Sequence, residues 1–167
     1  MFRASKYNLR IEISNTVTSV GNLNDCKLLN NIIIPNSVTS IGTFYNCESL
    51  TEAKLGSGIV SIPDRMFDKC KSLKKVIIGD NVDNIGKSSF AETNIMEFYS
   101  YTKNPPKLEY DGTSSALHSM SFASFPNISS EAKLYVPSRC GTEYKKSIWG
   151  TIKGYADYFE NIIEMEE

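Results

Sequence analysis

Two stretches of the sequence, IIIPNSVTSIG at residues 32–42 and VIIGDNVDNIG at residues 76–86, repeat one apolar pattern. In each, three apolar residues precede a turn pair, which is followed by a lone Val and then by Ile-Gly. Two more copies, IEISNTVTSVG at 11–21 and AKLGSGIVSIP at 53–63, align with them at spacings of 21, 21 and 23 residues. Repetition at such a period is typical of a solenoid, in which each copy forms one coil.

The four copies, together with the residues that follow them, align in six columns of mostly apolar side chains. The columns are Ile13, Ile34, Leu55 and Ile78; Val17, Val38, Ile59 and Val82; Val20, Ile41, Ile62 and Ile85; Leu23, Phe44, Phe67 and Phe90; Cys26, Cys47, Cys70 and Thr93; and Leu29, Leu50 and Leu73. A single coil cannot bury its own apolar side chains, so stacked coils must share the core. We therefore predict a mostly β fold: a right-handed leucine-rich-repeat solenoid with short parallel strands and a C-terminal cap containing a short helix.

The repeat pattern weakens after Thr93, where either segment 95–98 or segment 96–99 can continue the inward ladder. Asn-Pro-Pro at 104–106 removes two backbone donors, which predicts that the ladder stops there. We predict two domains. Residues 1–100 form a solenoid of about four coils, truncated or partly open at its first coil, and residues 101–167 form a cap packed on the last coil.

The predicted cap has three recognisable elements. AKLYVP at 132–137 predicts a strand that ends at its proline, and ENIIEM at 160–165 predicts a last strand. TEYKKSIWG at 142–150 predicts a short helix with Thr142 as its N-cap and Gly150 just past its end. A cap of this kind is needed because the end of a solenoid exposes apolar side chains.

Composition excludes several classes of protein. The chain of 167 residues is 41% hydrophobic and 22% charged, which is typical of one globular domain. Its formal net charge of −1 lacks the basic excess of most proteins that bind nucleic acid or membrane surfaces. No window approaches the roughly 18 apolar residues of a membrane span. We therefore predict neither a nucleic-acid partner nor a membrane span.

The sequence carries little that resembles a catalytic or metal site. The column cysteines are 21 and 23 residues apart, which does not match a zinc motif, and small buried apolar side chains are the simpler interpretation. A disulfide within the column stays open as an alternative, although side chains that point the same way suit it poorly. Cys140 and His118 could form a catalytic pair only if the fold brought them together. We predict no enzyme, no cofactor and no metal.

The stretch CESLTEAKLGSGIVSIPDRMFDKCKSLKKVIIGDNVDNIGKSSF at 47–90 resembles two nearly complete units of the BspA-like leucine-rich repeat family of bacterial surface and secreted proteins. The tail segments YTKNPPKL, AKLYVPSRCGTEYKKS and YFENIIEM resemble the C-terminal cap of such chains. The first two repeats depart from the pattern by being two residues short, and the fourth lacks its cysteine. The resemblance implies non-catalytic proteins that bind other proteins, including host matrix and plasma proteins, at an extracellular or cell-surface location.

The side chains between the inward columns should face solvent on a flat, repetitive surface. The candidate protein-binding surface consists of Asn31, Ile33, Glu52, Lys54, Lys75 and Ile77. Our leading hypothesis is a monomeric, non-catalytic protein-binding module of a bacterial cell-surface or secreted adhesion protein, with a host extracellular protein as partner. One alternative is a passive structural spacer. Another is a glycan-binding surface module that uses Tyr99, Tyr101 and Tyr110.

Overall fold

The structure is a computed structural model that describes residues 9–108, 128–147 and 159–166. Within these residues the chain is mostly β, with parallel strands stacked as a solenoid of about four turns and one short helix near the C-terminus. The predicted fold class is therefore confirmed. Trp149, Gly150, His118 and Tyr110 lie outside the described residues.

Each coil contributes one strand to a main sheet and a shorter strand to a second wall. The main sheet has seven parallel strands: β1 (Leu9–Ile11), β3 (Leu29–Ile34), β5 (Glu52–Leu55), β7 (Lys75–Ile78), β9 (Glu97–Ser100), β11 (Lys133–Val136) and β12 (Asn161–Glu164). The second wall is formed by β2 (Ser19–Val20) with β4 (Ser40–Ile41), and by β6 (Ser61–Ile62), β8 (Asn84–Ile85) and β10 (Lys107–Leu108). The main sheet therefore continues past residue 100 into the two last strands.

Pairing between the strands places equivalent residues of successive coils side by side. Ile32 pairs with Ala53, Ala53 with Val76, and Val76 with Phe98, and all four side chains are fully buried. Phe98 therefore points inward and Tyr99 outward, so segment 95–98 continues the ladder. Because side chains alternate across a strand, one register fixes both the core and the outward face of the sheet.

A stack of aromatic rings runs through the core of the solenoid. Phe44 and Phe67 stack with ring centroids 5.6 Å apart, and Phe67 and Phe90 repeat the same spacing. Phe98 meets Phe90 edge-on at 5.5 Å, and Phe159 continues the cluster from the C-terminal segment at 6.0 Å. Aromatic contacts thus join the repeats to the cap through one continuous core.

The cysteine column lies at a sharp corner of each coil. The residue before each column position has a left-handed backbone, at Asp25, Asn46, Lys69 and Glu92, with φ between 51° and 64°. All four cysteines are free thiols, so the alternative of a column disulfide is not realised. Cys47 and Cys70 are fully buried, whereas Cys26 in the first coil is only partly buried. The interpretation as buried packing residues therefore holds for two of the three cysteines.

The first described coil has a less complete core than the coils that follow it. Ile11, Ile13, Val17, Val20 and Leu23 are only partly buried, although they pack against the buried cluster. In the next coil the equivalent residues Ile32, Ile34, Val38 and Phe44 are fully or almost fully buried, and only Ile41 is still partly buried. Burial therefore increases along the solenoid from its N-terminal side.

Two local predictions for the C-terminal part are wrong. The ladder does not stop at the prolines, because β10 begins directly after Pro106 and pairs with β8. The two prolines lie in the preceding turn, where no ladder donor is needed. The helix α1 (Gly141–Lys146) begins before Thr142, with Cys140 at its N-cap position.

A carboxylate in strand β12 explains why the helix begins before the predicted N-cap, Thr142. Glu164 in β12 accepts hydrogen bonds from the backbone N–H groups of Arg139, at 3.0 Å, and Gly141, at 2.8 Å. These two donors, in that order, lower the pKa of Glu164. A distant carboxylate therefore does the capping that a local Thr side chain would otherwise do.

The helix is fixed to the last coil by one buried tyrosine. The hydroxyl of Tyr144 lies within hydrogen-bond distance of the hydroxyls of Ser100, at 2.7 Å, and Thr102, and donates to the Thr102 carbonyl oxygen at 3.1 Å. All three residues are almost completely buried. A satisfied buried network of this kind favours one orientation of the helix over others.

Candidate protein-binding face

The outward face of the main sheet carries two parallel rows of side chains. The polar row consists of Arg10, Asn31, Glu52, Lys75, Glu97, Lys133 and Asn161. The apolar row consists of Ile33, Lys54, Ile77, Tyr99, Tyr135 and Ile163. All six residues predicted from the sequence fall within these rows, three in each. The structure thus brings them together on one face as direct cross-strand neighbours.

Charges of opposite sign alternate along the middle of the polar row. Glu52, Lys75, Glu97 and Lys133 are successive partners in the register. The Nζ of Lys75 lies 3.7 Å from the Oε1 of Glu52, and both side chains are well exposed. An exposed pair of this kind adds at most about 1 kcal/mol to stability. The alternation therefore matters more for the charge pattern that a partner meets than for the fold.

The apolar row is exposed at both ends and contains one charge. Ile33 is 44% exposed and Ile163 is 37% exposed. Lys54 is exposed between Ile33 and Ile77. Within residues 9–108, 128–147 and 159–166, no carboxylate pairs with Lys54. A carboxylate of a bound partner could therefore pair with it.

Two stacked tyrosines, Tyr99 and Tyr135, lie in the C-terminal half of the apolar row. The rings of Tyr99 and Tyr135 are 4.3 Å apart between centroids and tilted by only 6°. The Nζ of Lys75 lies 5.3 Å from the centroid of the Tyr99 ring, and the Tyr99 hydroxyl donates to the Oε2 of Glu97 at 3.3 Å. Burial, followed by the negative charge of Glu97, raises the pKa of Tyr99 to about 12. Tyr99 is protonated at neutral pH, as an ordinary tyrosine is, and its O–H is already donated to Glu97.

The sequence does not predict this tyrosine pair. It suggests Tyr99 only for the glycan-binding alternative, whereas the structure places Tyr99 in the apolar row beside Ile77. It predicts Tyr135 only as part of a strand of the cap, because this segment does not repeat the pattern of the coils. The alternation K-L-Y-V in β11, with Leu134 and Val136 fully buried, is the signal that could have placed Tyr135 on the outward face.

A groove of about 880 Å³ adjoins the face at the turns that follow β5, β7 and β9. We call it the corner groove. Its lining includes Lys54 and Ile77 from the apolar row, and Tyr101, which is 49% exposed. The turn after β9 has six residues before β10, whereas the turn between β7 and β8 has five. The longer turn, with its two prolines, forms one wall of the groove.

The described residues offer no obvious catalytic centre. Among them, no group of three or more His, Cys, Asp or Glu side chains could hold a metal ion. Cys140 is partly buried and packs against the core, whereas His118 lies outside the described residues, so the structure does not test whether they pair. No helix in the described part of the chain is long and apolar enough to cross a membrane.

Comparison with known proteins identifies the repeats. The family model for the BspA type leucine-rich repeat region, in six copies, matches residues 1–111. No curated protein matches the chain. Leucine-rich repeats of this family are generally protein-interaction modules, are typically non-catalytic, and are commonly surface-associated. With the match covering well over half of the sequence, and the repeats stacked as a solenoid, the chain belongs to the BspA-type leucine-rich repeat family.

Proposed function

We propose that the chain is a non-catalytic binding module whose outward sheet face contacts a protein partner. The observation that carries this proposal is the row from Ile33 to Ile163, apolar except for Lys54, with stacked tyrosines and exposed isoleucines beside a row of alternating charge. Tyrosines are enriched among the residues that dominate binding energy at protein interfaces. Alternating charges around such anchors favour one register of the partner over others.

The finer part of the proposal concerns the setting in which the module acts. The family resemblance supports a bacterial cell-surface or secreted adhesion protein, extracellular in location, with a host matrix or plasma protein as its partner. The module acts as a monomer in this proposal. The six predicted residues Asn31, Ile33, Glu52, Lys54, Lys75 and Ile77 form the N-terminal half of the contact surface, and Tyr99 and Tyr135 form its other half.

A binding screen with matched surface variants tests the proposal. The immobilised chain is exposed to purified matrix and plasma proteins, and the dissociation constant of each partner is measured by biolayer interferometry. Tyr135→Ala and Lys54→Glu should each weaken binding by at least about tenfold, because each changes the apolar row. Lys71→Glu makes the same charge change at an exposed residue outside the two rows, and it should change the affinity by less than about twofold.

Two results would contradict the proposal. If the row variants keep the wild-type affinity for a partner that does bind, the contact surface lies elsewhere on the solenoid. If no matrix or plasma protein binds at all, the alternative of a passive spacer is favoured. Circular dichroism on each variant confirms that a lost signal reflects lost contact rather than unfolding.

A further inference from the structure

The corner groove adjoins the proposed protein-binding face and shares Lys54 and Ile77 with it, but most of its lining lies outside that face. Its volume of about 880 Å³ lies within the range of roughly 300–1,000 Å³ that is typical of small-ligand sites. Its floor is formed by the small turns at Gly56 and Gly79. A Cβ on Gly56 would approach the carbonyl carbon of Pro35 to 2.6 Å, and one on Gly79 would approach the oxygen of Gly56 to 2.8 Å. These glycines allow the turns to stack closely beneath the longer turn at 101–106.

Two amide side chains are held in fixed orientations in the groove lining. The Oδ1 of Asn36 accepts a hydrogen bond from the backbone N–H of Ser57 at 3.0 Å, and the Nδ2 of Asn81 donates to the Ser57 carbonyl oxygen at 2.8 Å. Each amide has a donor and an acceptor end. The other end of each amide, Nδ2 of Asn36 and Oδ1 of Asn81, has no hydrogen-bond partner among the described residues. The groove thus holds one oriented donor and one oriented acceptor.

The remaining lining combines an aromatic ring with nearly balanced charge. Tyr101 presents an exposed ring at the wall of the groove, next to the turn that contains Pro105. Three lysines and two aspartates line the same space: Lys54, Lys103, Lys107, Asp80 and Asp83. This balance gives no strong preference for a highly charged ligand. An aromatic ring with neutral donors and acceptors suits a molecule that has both apolar C–H faces and many hydroxyl groups.

The backbone of the groove argues against an extended peptide as ligand. Strand addition needs free N–H and C=O groups along an edge. Here the backbone N–H of Tyr101 donates to the oxygen of Ile78 at 3.3 Å, and that of Lys107 donates to the oxygen of Asp83 at 2.8 Å. The ladder between the coils therefore already uses these two N–H groups, and we expect side chains to supply most contacts to a ligand.

We propose that the corner groove binds a neutral oligosaccharide. One of its sugar rings packs on Tyr101, and hydroxyl groups along the oligosaccharide form hydrogen bonds with Asn36 and Asn81. The site shares Lys54 and Ile77 with the sheet face but does not include the tyrosine pair, so its sugar binding is measured on the chain without a protein partner. At the rim, lysines can donate further hydrogen bonds to ring hydroxyls and aspartates can accept them.

Isothermal titration calorimetry of the whole chain tests this site with defined probes. The probes are the neutral hexasaccharides cellohexaose, maltohexaose, mannohexaose, xylohexaose and chitohexaose. Charged comparisons are a hexameric oligogalacturonate, hexalysine and hexaglutamate. At least one neutral probe should bind with a dissociation constant of about 1 mM or tighter, and the charged probes should bind at least about tenfold more weakly.

Matched variants assign that binding to the groove. Tyr101→Ala should weaken it by at least about tenfold, whereas Tyr101→Phe, which keeps the ring, should stay within about threefold of the wild type. Tyr135→Ala removes the same side chain from the sheet face and should have no effect on sugar affinity. Asn36→Asp keeps the side-chain oxygen that accepts the backbone N–H of Ser57 but loses the side-chain N–H donor, so it should weaken sugar binding. Asn22→Asp is its control, because the side-chain oxygen of Asn22 accepts the backbone N–H of Thr43 in the same way outside the groove.

Three results would overturn the proposal. The first is that none of the five neutral probes binds. The second is that a charged glycan or a peptide binds in preference to them. The third is that sugar binding survives Tyr101→Ala, or is lost equally in Tyr135→Ala. None of these results bears on whether the sheet face binds a protein, since that is measured with protein partners and with the row variants.

Discussion

The thiol of Cys70 donates a hydrogen bond to the backbone oxygen of Phe44, one coil earlier in the solenoid, with an Sγ–O distance of 3.1 Å. Cys47 makes the equivalent bond to the oxygen of Leu23, also at 3.1 Å. The column therefore does more than fill space, because each buried thiol also links its coil to the preceding one. In the fourth coil Thr93 donates instead to the oxygen of Phe90 within its own coil.

Replacing a buried column cysteine should destabilise the solenoid measurably. Cys70→Ala removes both the packing of the sulfur and its hydrogen bond, so the free energy of unfolding should fall by about 1–2 kcal/mol. Cys26→Ala is the matched control, and it should cost clearly less because Cys26 is only partly buried. Urea unfolding at equilibrium measures both values. An equal or larger loss for Cys26→Ala would be incompatible with the interpretation of the column.

Thiol reactivity should divide the four cysteines into two pairs. Cys26 and Cys140 are partly exposed and should react in the native protein, whereas Cys47 and Cys70 should react only after denaturation. Cys26 should be slow at neutral pH, because burial and then the neighbouring Cys47 thiol raise its pKa above the ordinary value of 9.0. Its rate should keep rising with pH beyond that value, since the thiolate is the reactive form.

Titration with a chromogenic thiol reagent, without reductant, checks this division. We expect two reactive thiols in the native protein and four in denaturant. Four rapidly reacting native thiols would mean that the column faces solvent. Two thiols missing in denaturant would mean a disulfide, contrary to the free thiols in the structure.

Neighbouring isoleucines on one strand provide a direct test of the register. Ile78 is fully buried, whereas Ile77 is partly exposed in the apolar row. Ile78→Asp places an unpaired charge in the shared core and should cost several kcal/mol, which is on the order of the total stability of a small domain. Ile77→Asp should leave a cooperatively folded protein. Thermal melts followed by circular dichroism compare the two, and the reverse order of stability would refute the register.

Replacing Glu164 should lower the stability of the cap at neutral pH and have less effect in acid. The pKa of Glu164 is lowered in the folded protein by the N–H groups of Arg139 and Gly141. The stabilisation is therefore complete above the unfolded pKa of about 4.3 and is lost as the pH falls through the folded pKa. Glu164→Gln should lower Tm at pH 7, and the difference from wild type should shrink below about pH 4.

Glu143→Gln is the matched control for this effect, because Glu143 is in the first turn of the same helix but pairs only with the exposed Lys146, at 3.7 Å. Its Tm at pH 7 should lie closer to the wild-type value than that of Glu164→Gln. A Glu164→Gln difference that is constant from pH 7 to pH 3 would show that the carboxylate charge is not what holds the helix start.

The sequence predicted the features that depend on repetition. Columns such as Ile34, Leu55 and Ile78 are buried as expected, because a constant period places them at the same point of each coil. The six outward residues follow from the same register. The division into domains at 1–100 and 101–167 stays a prediction, although β11 and β12 extend the main sheet beyond residue 100.

The features that the sequence did not predict depend on contacts between distant segments. Thr142 has the side chain of an N-cap, but the N-cap position is Cys140, two residues earlier. Glu164, more than twenty residues later in the chain, accepts the backbone N–H of Gly141 at the start of the helix. Tyr135 joins Tyr99 only because β11 pairs with β9 across a long connection. The corner groove results from one extra residue in a turn, which no periodic pattern records. In each case tertiary contacts override the local signal.

The central claim is that the outward sheet face binds a protein. Photocrosslinking from both ends of the apolar row tests this claim most directly. A photoreactive amino acid replaces Ile33 or Ile163 on the face, or Val60, which is 51% exposed and lies outside the two rows. Each labelled protein is irradiated with the matrix or plasma protein that binds in the screen, and adducts are identified by mass spectrometry. We predict adducts from Ile33 and Ile163 and none from Val60. Adducts from Val60, with none from either position on the row, would contradict the account.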